Sequence, residues 1–567
     1  MKYFSIIVLL IVTSCSKEVN ELPQIPESSG VEALIAHSQE FNKELYSFST
    51  PGGLIHVAVG YGIANSIMVE GEGGNIIIDA SDSTSQAAKV HELFKSKNNN
   101  PIKAIIYTHN HGDHTFGAEY YINNQQERPQ IISHETTDHY TQRIMGIINP
   151  IISKRSTRMF GTLLPDDQFI NAGIGSSLNV SDSPIGYIKP DTVFRDELKI
   201  TISGIDLELY HAPGETNDQI FVWLPQHKSL MPGDNIYNTF PNLYTIRGTT
   251  HRNVTGWIDS LDHMRSFKPK YLFPSHTKPI EGEDATKALI VYRDAIQFVH
   301  DQTIRFMNKG YYPNEIVQMI NLPPNLASSP LLREFYGTVR WSVKSIYNGY
   351  LGWFDGNPSS LDPLPNKLEG QKIAALVGGN EILFSSLEAA VNNEDMQWAL
   401  QLSDYLINLE FRTVETNKLR KEALLYIGSR ASNPNKRNYF LTAALELDPS
   451  FEGFPEVKKS DSILNEINLD TIFNILSVSF NPENSYKGTY SVCFRFNSGQ
   501  ERAATIRNSV LEISKNLQHC DLNIKTSERA FKETLAGLKN PVLQVASGKI
   551  DVEESEVDFL KFLALFK

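Results

Sequence analysis

Cysteine is nearly absent. The 567 residues carry three, at positions 15, 493 and 520. So few thiols exclude a scaffold built on disulfides or on cysteine-rich metal knots. A chain this long buries enough apolar surface to hold its domains together without them. Cys493 and Cys520 could form one disulfide or remain two buried thiols, and the sequence leaves both open. Long apolar runs are also missing: beyond the first dozen residues no stretch reaches the length of a membrane-crossing helix. Basic clusters are missing too. The formal charge is −13, from 52 Lys and Arg against 65 Asp and Glu, with no Lys/Arg-rich block. A surface of that sign repels phosphate backbones, so no nucleic-acid partner is expected.

What is present reads as ordinary globular protein, 41% hydrophobic and 21% charged, and long enough for several domains. The N-terminal "MKYFSIIVLLIVTSCSKEVN" has an early Lys2, an apolar run from Tyr3 to Val12, then small residues before Cys15. The run suits the apolar region of a signal peptide. "VTSC" resembles a bacterial lipobox, whose cysteine becomes the lipidated first residue. Residues 1–14 are therefore expected to be a signal peptide, Cys15 the lipidation site and 15–34 a solvated tether. The implied product is an exported bacterial lipoprotein, periplasmic or outer-membrane associated, touching the membrane only through its anchor.

From Gly53 to Ile220 strand and helix patterns alternate. "NSIMVEGEGGNIIIDA" (65–80) predicts two strands around a Gly-rich turn, and "TSQAAKVHELFKS" (84–96) an amphipathic helix. "IKAIIYT" (102–108) is a strand apolar on both faces, as in a sheet covered by helices. Two further hairpins are expected over 197–212 and 219–234, giving an α/β layered domain with loops at strand ends. Helical patterns follow at 284–310, 333–349, 383–393, 396–410, 415–431 and 436–447. Strands at 486–500 and 520–527, with helices at 527–538 and 554–566, predict a small α+β module at the end.

The chemistry concentrates in "THNHGDH" (108–114). His109 and His111, two apart in extended chain, point the same way. Gly112 permits a tight turn that brings in Asp113 and His114. Imidazole and carboxylate are ligands for zinc and similar ions, and this spacing offers one pair to each of two ions. Three later segments, "HAPGETND" (211–218), "MPGDN" (231–235) and "FPSHTKP" (273–279), follow apolar strand-like runs and carry Glu215, Asp234 and His276.

This order of motifs resembles the metallo-β-lactamase fold, an αββα sandwich with a two-metal site at one edge. Most members carry histidine where this chain has Glu215. Glutamate there is similar to the alkyl sulfatase branch, as are "FPNLYTIRG" (240–248), "RMFGTLLP" (158–165) and "YNGYLGWFDGNPSSLDPLP" (347–365). The resemblance implies a metallo-β-lactamase-like catalytic domain over 35–310 and an all-α helical domain over 311–455 that makes a homodimer. It also implies a small α+β domain over 456–567 like sterol carrier protein 2. It assigns His109, His111 and Glu215 to one Zn2+ and Asp113, His114 and His276 to another, with Asp234 bridging; another divalent metal could replace zinc. The branch has glutamate at the bridge, one methylene longer than Asp234. Asp79 is placed to accept a ring N–H from a ligand histidine.

The implied reaction is hydrolysis of alkyl sulfate esters, such as dodecyl sulfate, to alcohol and inorganic sulfate. Asn242 and Arg247 would hold the sulfate head, the guanidinium offering a permanent forked charge. His251 is a candidate proton donor to the leaving oxygen. Residues 144–152 with Met159 and Phe160 would wall an apolar channel. The alternatives are a hydrolase of this fold acting on another ester, lactone or phosphoester, and a lipid-binding protein with a vestigial metal site.

Overall fold

The computed structural model describes residues 27–178, 184–455, 463–484, 488–517 and 519–566. Residues 1–14 and Cys15 lie outside them. The stretch expected as a tether is partly ordered. A helix spans Glu27–His37, Leu34 is fully buried, and the His37 ring lies 2.7 Å from the Gly173 carbonyl. An apolar anchor and a long-range hydrogen bond outweigh the polar composition that suggested a free linker.

Alternating apolar residues build two stacked sheets. The first has seven strands in chain order: β1 (Glu44–Thr50), β2 (Gly53–Val59), β3 (Ser66–Gly71), β4 (Gly74–Ile78), β5 (Ile102–Ile106), β6 (Gln130–His134) and β7 (Thr192–Phe194). Pairing is antiparallel up to β4 and parallel from β4 to β7. The second sheet holds β8 (Glu197–Ile202), β9 (Ile205–His211), β10 (Ile220–Leu224), β11 (Ser229–Met231), β12 (Tyr271–Leu272) and β13 (Ile280–Glu281), again in sequence order.

Ile55, Val57, Ile76 and Ile106 of the first sheet meet Leu207, Leu209, Ile220 and Val222 of the second in one core. The opposite faces are covered by helices. Ile77, Ile105 and Ile131 pack with Ala87, Val90 and Phe94 of helix Thr84–Lys95. Phe221, Trp223 and Leu230 pack with helices Val254–Ser266 and Glu283–Met307. Strands covered on both faces read as continuous apolar runs, which is why β4, β5 and β10 lack alternation. The result is the expected αββα sandwich.

After the helices Pro313–Met319, Pro324–Ala327 and Val339–Leu351 come five more, Asn366–Val377, Asn380–Asn392, Met396–Asn408, Thr413–Arg430 and Pro434–Leu445. They close their own core around Leu383, Leu387, Leu402, Leu406 and Ala423. The helix expected at 333–349 begins later, at Val339, because the Thr338 side chain accepts the Trp341 N–H as its cap. Arg158 grips Glu446 through both nitrogens of its fork, 2.6 Å each, tying this unit to the sandwich. Among the described residues no single helix is long and apolar enough to cross a membrane.

The last unit is a five-stranded sheet of β14 (Tyr490–Phe496), β15 (Glu501–Arg507), β16 (Val510–Ser514), β17 (Leu522–Thr526) and β18 (Ile550–Val552), ordered β16-β15-β14-β17-β18. Phe473, Phe494, Phe531 and Phe562 fill its core. Cys493 and Cys520 are joined as a disulfide, which decides the alternative the sequence left open.

Candidate metal centre and its apolar cleft

The site forms where the sheets' loops meet. Asp79, at the end of β4, adopts φ +63° and is fully buried. Its Oδ1 accepts the Thr108 N–H (2.9 Å), and its Oδ2 lies against the Thr108 hydroxyl (3.0 Å), the Ser275 hydroxyl (2.6 Å) and His114 Nδ1 (2.8 Å). One carboxylate thus fixes the histidine loop to the loop bearing His276 and turns His114 Nε2 inward. His276 is oriented the same way, its Nδ1 lying 2.8 Å from the Ile63 carbonyl. Gly233 has φ +58°, a left-handed conformation that favours glycine, and a Cβ there would displace the Gln219 amide, 1.9 Å away, so glycine suits the turn that delivers Asp234.

Seven side chains converge. Atoms of His109, His111, Glu215 and Asp234 lie within 4.8 Å of one another, as do those of Asp113, His114 and His276. Asp234 stands between the groups: Oδ2 is 3.1 Å from His276 Nε2 and 3.7 Å from His109 Nε2, and Oδ1 is 3.5 Å from His114 Nε2. Asp113 Oδ2 is 3.4 Å from His114 Nε2 and 3.5 Å from His276 Nε2. Glu215 Oε2 is 3.3 Å from His111 Nδ1.

Burial opposes charge on all four histidines, and it prevails at His109 and His111, whereas Asp113, Asp234 and Asp79 outweigh it and raise His114, and Asp234 raises His276. Burial pushes His109 down to about 3, with the His114 charge acting the same way. His111 is driven well below the imidazole range by burial and then by Arg247. Burial opposes charge on Asp234, but His276, His114 and His109 outweigh it and hold the carboxylate well below its usual range. Burial lifts Glu215 to about 7 against the pull of Arg252.

The donor set fits metal. His114 Nε2, Glu215 Oε2 and Asp234 Oδ1 are buried and have no hydrogen-bond partner. Leaving such atoms unmet costs about 1–3 kcal/mol each, more for charged groups, and a cation at their centre would satisfy them. Any ion-pair reading of these contacts is secondary to that convergence.

Beside the donors opens a cleft of about 170 Å³, part of it facing solvent. Its polar end holds His111, Asp113, Asp234 and Arg247; its walls include Ile144, Ile152, Phe160 and Ile174, with Ile463 and Ile467 from the C-terminal unit. Met159, expected in this wall, is instead fully buried in the core beneath it. The Glu466 carbonyl accepts from Gln142 Nε2 at 2.7 Å, seating the C-terminal segment on the cleft.

The remaining candidates are placed unequally. Arg247 lies at the cleft, Nη2 2.8 Å from His111 Nε2. Asn242 is fully buried behind it, and neither amide atom has a partner. His251 lines neither the cleft nor the smaller pocket beside Arg247; its ring packs over Gly349, where a Cβ would come within 1.9 Å. Sequence reasoning missed Arg252, 2% exposed, whose guanidinium contacts Glu215 Oε1 and donates to the Asn242 carbonyl. The signal was available: a buried glutamate among ligands calls for a cation, and 247–252 supplies two.

Comparison with known proteins settles the ancestry. The chain is 33% identical over 518 residues to a linear primary-alkylsulfatase of Pseudomonas sp. (strain ATCC 19151), covering 88% of this chain and 98% of the relative. Profiles for the metallo-beta-lactamase superfamily, alkyl sulfatase dimerisation and the alkyl sulfatase C-terminal region match residues 59–276, 312–450 and 457–567. The chain belongs to the alkyl sulfatase family. An alkyl/aryl-sulfatase of Saccharomyces cerevisiae, BDS1, is 26% identical over 89% of this chain and 80% of its own length. The fold matches the crystal structure of Pisa1, an inverting sec-alkylsulfatase from Pseudomonas sp. The TM-score is 0.87 at 23% identity, over 94% of this chain and 86% of the other.

Proposed function

We propose that this alkyl sulfatase family member hydrolyses alkyl sulfate esters to alcohol and inorganic sulfate, using two divalent cations, in the first instance zinc. The carrying observation is the junction of seven convergent donors with an apolar cleft at Arg247. His109, His111 and Glu215 would hold one ion, Asp113, His114 and His276 the other, and Asp234 would serve both. When bound, such ions supply Lewis acidity that makes water a nucleophile at neutral pH and draws charge from the ester. Arg247 receives the singly charged sulfate head, and the isoleucine-rich walls exclude water from the alkyl tail. Asn242 backs that head-group site. His251, the candidate proton donor, is exposed and packs against Gly349.

The helical unit is taken as the homodimer interface, and the C-terminal unit as a sterol-carrier-like module that concentrates apolar substrates beside the cleft. "VTSC" supports export and lipidation at Cys15, with periplasmic or outer-membrane residence. Labelling of the expressed chain with a fatty acid, abolished in Cys15→Ala, checks that assignment.

The decisive assay is sulfate release from dodecyl sulfate by protein stripped of metal and reloaded with zinc. Turnover that requires the metal is expected. Absence of sulfate from every alkyl ester tried, with turnover of a lactone or phosphoester instead, would overturn the substrate class.

A further inference from the structure

Glu215 has an unusual surrounding for a metal ligand. Its two oxygens do different things: Oε2 faces His111 Nδ1 at 3.3 Å and has no hydrogen-bond partner, while Oε1 is held by Arg252. Arg252 is itself fully inside the protein, its side chain 1% exposed, and among the described residues it contacts no other carboxylate. A buried guanidinium is costly to maintain unless it is matched by opposite charge, and here Glu215 is that match. The same guanidinium donates through Nη1 to the carbonyl of Asn242, whose N–H donates in turn to the Tyr237 hydroxyl at 3.0 Å. Gly337 packs closely against this segment, where a Cβ would lie 2.7 Å from the Asn242 Cα.

We infer that Arg252 is a positioning residue that lets a glutamate serve as a one-oxygen metal ligand and locks the head-group segment to that ligand. By occupying Oε1 it leaves a single free oxygen to the ion. By balancing the charge it makes the carboxylate behave toward its surroundings like a neutral donor. Through the Asn242 carbonyl it couples the metal end of the cleft to the strip ending at Arg247. The inference rests on the metal-site reading above, and it assigns to Arg252 no contact with substrate.

Zinc binding measured by competition with a chromophoric chelator tests it on the full chain, with circular dichroism as the check on folding. Arg252→Met is expected to weaken zinc at least tenfold. Glu215→His in the parent is expected to weaken it too, because Arg252 is then buried without a counter-charge. The double variant Glu215→His/Arg252→Met replaces the ion pair with a neutral one-lone-pair donor and an apolar neighbour. It should bind zinc more tightly than either single variant. Arg252→Lys keeps the charge but loses the fork; it should retain zinc within about threefold while raising KM for dodecyl sulfate several-fold with kcat little changed. The proposal is overturned if Arg252→Met binds zinc within twofold of the parent, or if the two single losses simply multiply in the double variant. Should Arg252→Met fail to fold, Arg252→Lys decides: unchanged KM overturns the coupling to Asn242. Failure of the parent itself to bind zinc would sink the metal reading and leave this inference without a subject.

Discussion

The metal end of the cleft and its apolar wall are built on opposite rules. At the metal end single atoms are specified: Asp79 alone makes four contacts, and a Cβ at Gly233 would already collide at 1.9 Å. The wall is specified by volume. Its isoleucines come from helix Asn149–Phe160, nearby loops and the C-terminal unit, and none needs more than bulk and apolarity. Chemistry is therefore fixed tightly and substrate length loosely. Substitutions at the first end should abolish function, whereas those in the wall should only retune it.

The widest gap is expected for metal removal. Chelation should lower turnover of dodecyl sulfate by roughly 10³-fold or more, the scale lost when an essential charge stabiliser goes, and zinc should restore it. Turnover that survives complete metal loss, verified by elemental analysis, would erase the distinction between the two ends. Arg247→Ala comes next. A loss of roughly 10²–10³ in kcat/KM is expected, with metal content unchanged. Metal loss in that variant would move Arg247 from the substrate to the ligand shell. Asp79→Ala should weaken metal binding by roughly 10–100-fold without touching the ester directly, as expected for a group that orients a ligand histidine; chelator competition measures it.

These effects also mark what the sequence disclosed. The H-x-H-x-D-H run was legible because coordination demands particular residue types at particular spacings, whereas Glu215, Asp234 and His276 were legible only through an order of motifs that resembles the metallo-β-lactamase fold. A layered domain was legible because the largely apolar "IKAIIYT" reads as a strand covered on both faces, as β5 is, while the αββα sandwich came with the family resemblance. The wall was half legible. Ile144, Met145, Ile152 and Phe160 line the cleft as expected, but Met159 turns into the core, since the pitch of a helix separates neighbours by about 100°. Ile463 and Ile467 could not be read at all. They lie far along the chain beyond His276, the last of the ligands, and nothing local records that contact. Arg252 was missed because a buried counter-ion leaves no spacing rule behind.

The wall itself offers a smaller test. Ile467→Ala should lengthen the cleft and shift preference toward longer alkyl chains by roughly tenfold in the ratio of kcat/KM values, the order of a methylene-scale change in an apolar pocket. A ratio unmoved across octyl to hexadecyl sulfate would separate the C-terminal unit from substrate choice.

The smallest effect on catalysis should come from the disulfide. Cys493 and Cys520 are separated by 27 residues and sit with Ala503 in a small cluster apart from the cleft-facing phenylalanine core. Closing a loop of that size stabilises the folded state by roughly 3–4 kcal/mol through the entropy it removes from the unfolded chain. Cys493→Ser with Cys520→Ser should therefore lower the unfolding midpoint of the C-terminal unit while turnover at 25 °C stays within about twofold of the parent. Among the described residues Ile463 and Ile467 are the members of that unit that line the cleft, and both precede the disulfide-bearing sheet, so a loosened sheet leaves them seated through the Glu466 carbonyl and the Asn468 N–H, which both bond to Gln142. If turnover instead collapses with the midpoint, the wall depends on the rigidity of the whole C-terminal unit, and substrate length is set less loosely than the packing implies.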